Sequence, residues 1–213
     1  QEQLAINGHA LEARIYAEDP AKGFLPSTGR LVHLAPPPES LNVRVDTGVE
    51  QGDEITPFYD PMIAKLIVWD VDRQRACARM LQALAQYRVV GVSNNIEFLA
   101  RLVACPAFAN ADLDTGLIER EKSFLFPTEE IIPAEVFLMA ALADLLHEAA
   151  LAAPHAMADD LHSPWLMRDG WRLNSSAQRA LKYRFGESEK LINVNYAQER
   201  FNLELGGVVA PAQ

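Results

Sequence analysis

Between His9 and Ala17 the side chains alternate. Leu11, Ala13, Ile15 and Ala17 fall on one side of an extended chain, and Glu12, Arg14 and Tyr16 on the other. A period of two predicts a half-buried strand. Asp19-Pro20 and Pro26-Ser27-Thr28-Gly29 mark turns after it, because Pro presets φ and Gly permits positive φ. Arg30 to Leu34 reads as a second strand. Ala35-Pro36-Pro37-Pro38 lacks three successive backbone donors and is expected to be an extended connector or edge. From Leu41 to Asp46 the alternation returns, with Leu41, Val43 and Val45 opposite Asn42, Arg44 and Asp46. Met62 to Trp69 is apolar on both faces apart from Lys65, the pattern of a central strand covered on both sides.

The period then lengthens. Arg73 to Gln86 sets Ala76, Cys77, Met80, Leu81 and Leu84 on one helical face, with Arg75, Arg79, Gln82 and Gln86 outside. Tyr87 to Val92 is a short strand. Asn94-x-x-Glu97 has approximate capping-box spacing for a helix that carries Ile96, Leu99, Ala100 and Val103 inward. Asp114 to Glu121 reads as a last short helix. Strands, helix, strand and helix in this order predict an α+β arrangement.

Phe124 to Thr128 closes that region. Pro133 suits the first turn of a helix running to about Ala152, apolar nearly all round through Leu146, which implies enclosure by other elements. Short strand-like runs follow at Pro164–Met167, Trp171–Leu173, Arg179–Phe185, Leu191–Tyr196 and Arg200–Leu205, separated by turn signals such as Asp169-Gly170 and Asn174-Ser175-Ser176. Their spacing suggests an antiparallel meander or barrel. The expected fold is therefore an α+β antiparallel sheet with helices over residues 1–127, then a hydrophobic helix with antiparallel, β-barrel-like strands over 128–213.

Composition narrows the function classes. A length of 213 residues suits two modest domains, and 49% hydrophobic with 23% charged residues is ordinary for a globular chain. A formal charge of -10 argues against a nucleic-acid partner, which needs clustered Lys and Arg. Cys77 and Cys105 have no metal-like spacing, which argues against a zinc site or disulfide framework and for a cytosolic setting. The apolar run Ile131–Leu146 is broken by Glu135 and Asp144 and is shorter than the ~20 residues that span a bilayer, so a buried helix is expected rather than a membrane anchor. The start at Gln1, without Met or a signal series, leads us to expect a piece of a longer polypeptide.

Residues two apart on one strand face stand roughly 6.5–7 Å from each other, so Glu12 can orient the Arg14 guanidinium without covering its fork of donors. The competing account is a structural ion pair, the commoner use of an arbitrary Arg. Arg44 and Asp46 are placed either to pair or to face a partner subunit. Lys65 is most simply a snorkelling side chain. His9, His33, His147, His155 and His162 show no ligand spacing, and Glu129-Glu130 suits a helix N-terminus better than acid/base work. Trp165 and Trp171 fit barrel packing better than an exposed docking patch.

The strings Gly8 to Pro20 (GHALEARIYAEDP) and Phe24 to Leu31 (FLPSTGRL) resemble the C-terminal part of a biotin carboxylase domain, the ATP-grasp module of biotin-dependent carboxylases. The likeness continues through Leu41 to Gly48, Gly52-Asp53, Tyr59 to Ile67, Arg79-Met80, Leu84 and Val90 to Ile96. Ser163-Pro164-Trp165 and Gly170 to Asn174, with the later strands, resemble the domain that follows the biotin carboxylase module in methylcrotonyl-CoA carboxylase α subunits. There a helix inside a β-barrel joins the two kinds of subunit.

The resemblance implies ATP- and bicarbonate-dependent carboxylation of biotin held on a carrier domain outside this chain. It carries a role near biotin and bicarbonate onto Arg14, where a fixed guanidinium would stabilise a biotin oxyanion, with Glu12 as its orienter. Asp60, in the Tyr59-Asp60-Pro61 turn, is a candidate near the biotin site, although an Asp there also bonds its own backbone. Arg44 falls where the family uses an Arg between carboxylase domains, and Leu41 replaces an aromatic found in some relatives. The ATP and Mg sites are expected mostly outside this chain, and the biotinyl-lysine motif beyond it. The implied partners are a carboxyltransferase β subunit, the biotin carrier domain and other α subunits, in the cytoplasm or, in a eukaryote, the mitochondrial matrix. A non-enzymatic assembly module that docks a carboxyltransferase subunit is the alternative.

Overall fold

A computed structural model describes residues 5–127, 132–152, 177–185, 188–197 and 200–212. The chain forms two compact units, Gln1–Glu129 and Glu130–Gln213. The expected strands at Pro164–Met167 and Trp171–Leu173 lie outside the described residues, as do Glu129, Glu130, His155, His162, Trp165 and Trp171.

In the first unit, β1 (His9–Tyr16) leads to two short paired strands, β2 (Glu18–Asp19) and β3 (Leu25–Pro26). The expected strand from Arg30 to Leu34 is in fact two, β4 (Gly29–Arg30) and β5 (His33–Ala35). Then come β6 (Val43–Thr47), β7 (Glu54–Ile55), β8 (Met62–Asp70), α1 (Arg73–Gln86), β9 (Arg88–Val90) and α2 (Ile96–Ala104). Three one-turn helices finish the unit: α3 (Pro106–Ala109), α4 (Leu117–Arg120) and α5 (Lys122–Leu125).

The split has a local cause. β4 pairs with β7 and β5 with β9, and the exchange of partners falls between two consecutive residues. Leu31 N–H donates to the Asp53 carbonyl and Val32 N–H to that of Val90, each at 2.8 Å. Two other boundaries also move. β6 starts at Val43 because Ser40 and Val43 close a small turn that leaves Leu41 fully exposed. Of the stretch Asp114–Glu121 only Leu117–Arg120 is helical; the Asp114 carboxylate instead accepts from the Gly116 N–H at 2.8 Å and from Arg120 at 2.5 Å.

β8 is the centre of a three-stranded antiparallel sheet in the order β1-β8-β6. One face is core: Ala13 and Ile15 of β1 and Leu66 and Val68 of β8 pack against Cys77, Met80 and Leu84 of α1. A bulge at Ile63, between the pairs Ile15–Ala64 and Tyr16–Met62, turns both Ile63 and Ala64 inward. The opposite face is not covered as the apolar run suggested, since Lys65, Ile67 and Trp69 are only half-buried. Asp72 caps α1 by accepting from Arg75 N–H at 2.8 Å. Both cysteines are buried and free, and no helix of the described residues is long and apolar enough to cross a membrane.

In the second unit α6 (Ala134–Ala152) lies with a four-stranded antiparallel meander, β10 (Gln178–Phe185), β11 (Ser188–Ala197), β12 (Arg200–Leu205) and β13 (Val208–Ala212). Phe137, Leu138, Ala141 and Leu145 bury against Ile192, Val194, Leu203 and Leu205. Arg179 holds Glu148 through two hydrogen bonds of 2.7 and 2.9 Å, and the Tyr183 hydroxyl donates to Asp144 at 2.6 Å. Among the described residues the helix is covered on one side, with Val136, Met139 and Leu146 about half-exposed, and the strands do not close into a barrel. β13 is an addition to the expected strands. Gly206 and Gly207, at φ of 57° and 88°, make the tight hairpin that positive φ at both central positions favours, and Pro211 falls in β13, an edge strand among the described residues.

Candidate active-site wall on the first sheet

The alternation along β1 decides which side chains leave the core. Ala13 and Ile15 are buried, so Glu12, Arg14 and Tyr16 emerge on the opposite face. Gly8 allows the strand to begin where it does: its φ is +73°, and a Cβ there would lie 2.4 Å from the Trp69 ring and 2.5 Å from the Asp70 carbonyl. The Trp69 indole N–H donates to the Asn7 carbonyl at 3.1 Å, fixing the strand's entry.

Arg14 is more than half exposed, and its Nε lies 3.5 Å from Glu12 Oε1. The Tyr16 hydroxyl and the Glu12 carboxylate raise the guanidinium above its ordinary value, so it is a permanent cation. An exposed pair at this separation adds little to stability and leaves most of the donor fork open.

The backbone that carries Arg14 is pinned by Asn95, which is 4% exposed. Asn95 Oδ1 accepts from the Tyr16 N–H at 2.9 Å, and Asn95 Nδ2 donates to the Arg14 carbonyl at 3.2 Å and to Glu18 Oε1 at 2.9 Å. Burial raises the Glu18 carboxyl, an effect that the Asn95 bond opposes. The start of α2 is shifted by one residue from the expected Asn94-x-x-Glu97 capping box. Asn95 stands at the N-cap of α2 without a side-chain capping bond, because its amide is committed to β1; Asn94 Oδ1 accepts from Ile96 N–H instead, at 3.2 Å. Adjacent Asn residues before a helix were the only sequence signal for this tether. Capping was the simpler use of them.

Register places the other candidates. Arg14 pairs with Lys65, and Lys65 with Asp46, in one row across the sheet; Glu12, Ile67 and Arg44 form the next. Arg44 grips Asp46 through Nε–Oδ1 at 2.7 Å and Nη2–Oδ2 at 3.0 Å. Asp60 is exposed, and its carboxylate accepts from the Met62 N–H at 3.1 Å in an Asx turn at the Tyr16 end of the sheet. Among the described residues no group of three or more His, Cys, Asp and Glu is placed to hold a metal.

The family model described as "Biotin carboxylase C-terminal domain" matches residues 12–120, just over half of the chain. The chain belongs to the biotin carboxylase C-terminal domain family. The second family model, "Methylcrotonyl-CoA carboxylase, alpha-subunit, BT domain", matches residues 133–212. The mitochondrial methylcrotonoyl-CoA carboxylase subunit alpha of Dictyostelium discoideum is 40% identical over 92% of this chain, and that of Rattus norvegicus 41% over 93%. The chain spans 28% of the length of each. The biotin carboxylase domain of a thermophilic 2-oxoglutarate carboxylase, solved bound to bicarbonate, is 38% identical at a TM-score of 0.56, covering 59% of this chain and 28% of that one. The α+β sheet and helices of the first unit are thus those of a biotin carboxylase C-terminal domain.

Proposed function

We propose that this chain forms one wall of a biotin carboxylase active site, over residues 1–127, and part of a subunit-linking domain, over 128–213. Both belong to an acyl-CoA carboxylase α subunit, an ATP-dependent ligase. The observation that carries the reading is Arg14, an exposed permanent cation on a strand pinned from behind by Asn95, within the matched family segment.

The residues present fit a small oxyanion ligand. Biotin, when bound, would supply a ureido group whose oxygen takes on negative charge when its nitrogen loses a proton ahead of carboxylation. Arg14 would stabilise that oxygen, or bicarbonate, with directed N–H donors aimed where charge develops. Glu12 would hold the guanidinium plane, and Asp60 borders the site. Among the described residues no group of three or more His, Cys, Asp and Glu is placed to hold a Mg ion. Carboxylation of methylcrotonyl-CoA is the acyl-CoA reading favoured by the match over residues 133–212. That reading brings a carboxyltransferase β subunit, a biotin carrier domain and further α subunits, contacted in part through Arg44, in the cytoplasm or the mitochondrial matrix.

The test is ATP- and bicarbonate-dependent carboxylation of free biotin by the gene product that carries this sequence. We expect activity that Arg14→Ala abolishes. An inactive wild type that still binds a carboxyltransferase subunit would instead make this an assembly module.

A further inference from the structure

Lys65 is the one cation of the polar sheet face that the reading above does not use. It is the direct cross-strand partner of Arg14, and such pairs place Cβ atoms about 4.5–5.5 Å apart on the same face. Two like charges in that position repel, and the flanking residues on this face of β8, Ile67 and Trp69, show that the strand accepts apolar side chains there. On its other side Lys65 is paired with Asp46, but both Asp46 oxygens are already held by Arg44, at 2.7 and 3.0 Å. Glu12 is engaged with Arg14. Among the described residues Lys65 has neither an ion pair nor a hydrogen bond through its side chain.

We propose that Lys65 and Arg14 together form a two-cation site for one small oxyanion, with Lys65 as the second ligand-contacting residue. Arg14 offers a planar fork that sets direction, and Lys65 a mobile point charge on a half-buried stem. An anion between them is attracted by both charges. The site deepens the role assigned to Arg14 and rests on that reading. Its oxyanion chemistry is shared by bicarbonate and the biotin ureido oxygen.

The experiment compares Lys65→Met, which keeps the buried stem and removes the charge, with Lys65→Arg, which restores it. Each is made in the gene product that carries this sequence. The KM for bicarbonate, the KM for free biotin, kcat and thermal stability are measured. Loss of one charge-assisted contact is expected to raise one of the two KM values about tenfold in Lys65→Met, with most of the loss recovered in Lys65→Arg. The KM that rises identifies the source of the oxyanion. Both KM values unchanged in Lys65→Met, with or without a change in stability, would overturn the site and make Lys65 structural. If the wild type makes no carboxybiotin, the catalytic reading fails separately. Lys65 is then judged by titrating the 213-residue chain with bicarbonate and following the Lys65 ammonium by NMR. A saturable shift that Arg14→Ala removes supports the site, and no saturable shift overturns it.

Discussion

Asn95 donates a hydrogen bond to the carbonyl of Arg14 at 3.2 Å across 81 residues of sequence, and its own carbonyl takes the Tyr16 N–H at 2.9 Å. The amide thus completes the hydrogen bonding of β1 where that strand has no neighbour, and it fixes the backbone under the guanidinium. Asn95→Ala leaves the partly buried Tyr16 N–H and Arg14 carbonyl without these partners. We expect it to lower unfolding free energy by about 2–3 kcal/mol in urea titrations. Asn95→Asp should be at least as damaging, because it replaces the donor to Arg14 and Glu18 with a second carboxylate.

Arg14 behaves in the opposite way. Its side chain is exposed, so Arg14→Lys should leave the urea midpoint unchanged. Its directed donors are lost, and biotin carboxylation by the gene product should fall about tenfold or more. Glu12→Gln should cost less, since it removes only an orienting partner 3.5 Å away. Comparing kcat with midpoint for the three proteins separates the chemistry from the fold.

Asp70 should govern acid stability in the first unit. The Val71 N–H at 2.8 Å and Arg79 at 2.7 and 2.9 Å hold its carboxyl below the ordinary carboxylate value. A lowered native value means the native state binds the proton less readily than the unfolded chain. The stabilisation is then complete above the unfolded value of about 3.9 and is lost as pH falls through the native one. Asp70→Asn should therefore destabilise at pH 7 and converge with wild type in strong acid, which urea midpoints across pH would show.

Tyr87 is 3% exposed, and among the described residues its hydroxyl has no hydrogen-bond partner; burial pushes it up to about 12. Removing an unsatisfied buried hydroxyl at constant ring volume relieves a desolvation cost. Tyr87→Phe should stabilise the protein by about 1 kcal/mol, measurable as a higher urea midpoint.

Local periodicity was a sound guide wherever one element makes its own case. β1, α1 and β12 lie close to where hydrophobic spacing puts them, because a half-buried strand or an amphipathic helix writes its period into neighbouring residues. It misled where partners decide. Arg30 to Leu34 has the alternation of one strand, yet β4 and β5 answer to different neighbours. Lys65 is half-buried, as a snorkelling side chain is, but nothing near it in sequence shows that Arg14 lies across the ladder.

By itself the sequence determined the α+β class, the polar face of β1 that carries Glu12 and Arg14, and the order of segments that resembles a biotin carboxylase. These are properties of side-chain type and short-range period. Tertiary structure alone decided that Asn95 pins Arg14 from behind, that Asp46 is held by Arg44, and that Lys65 stands opposite Arg14. A hydrogen bond across 81 residues and a register across two strands are long-range relations. They come into being only when the chain closes its sheet, so no local pattern can encode them.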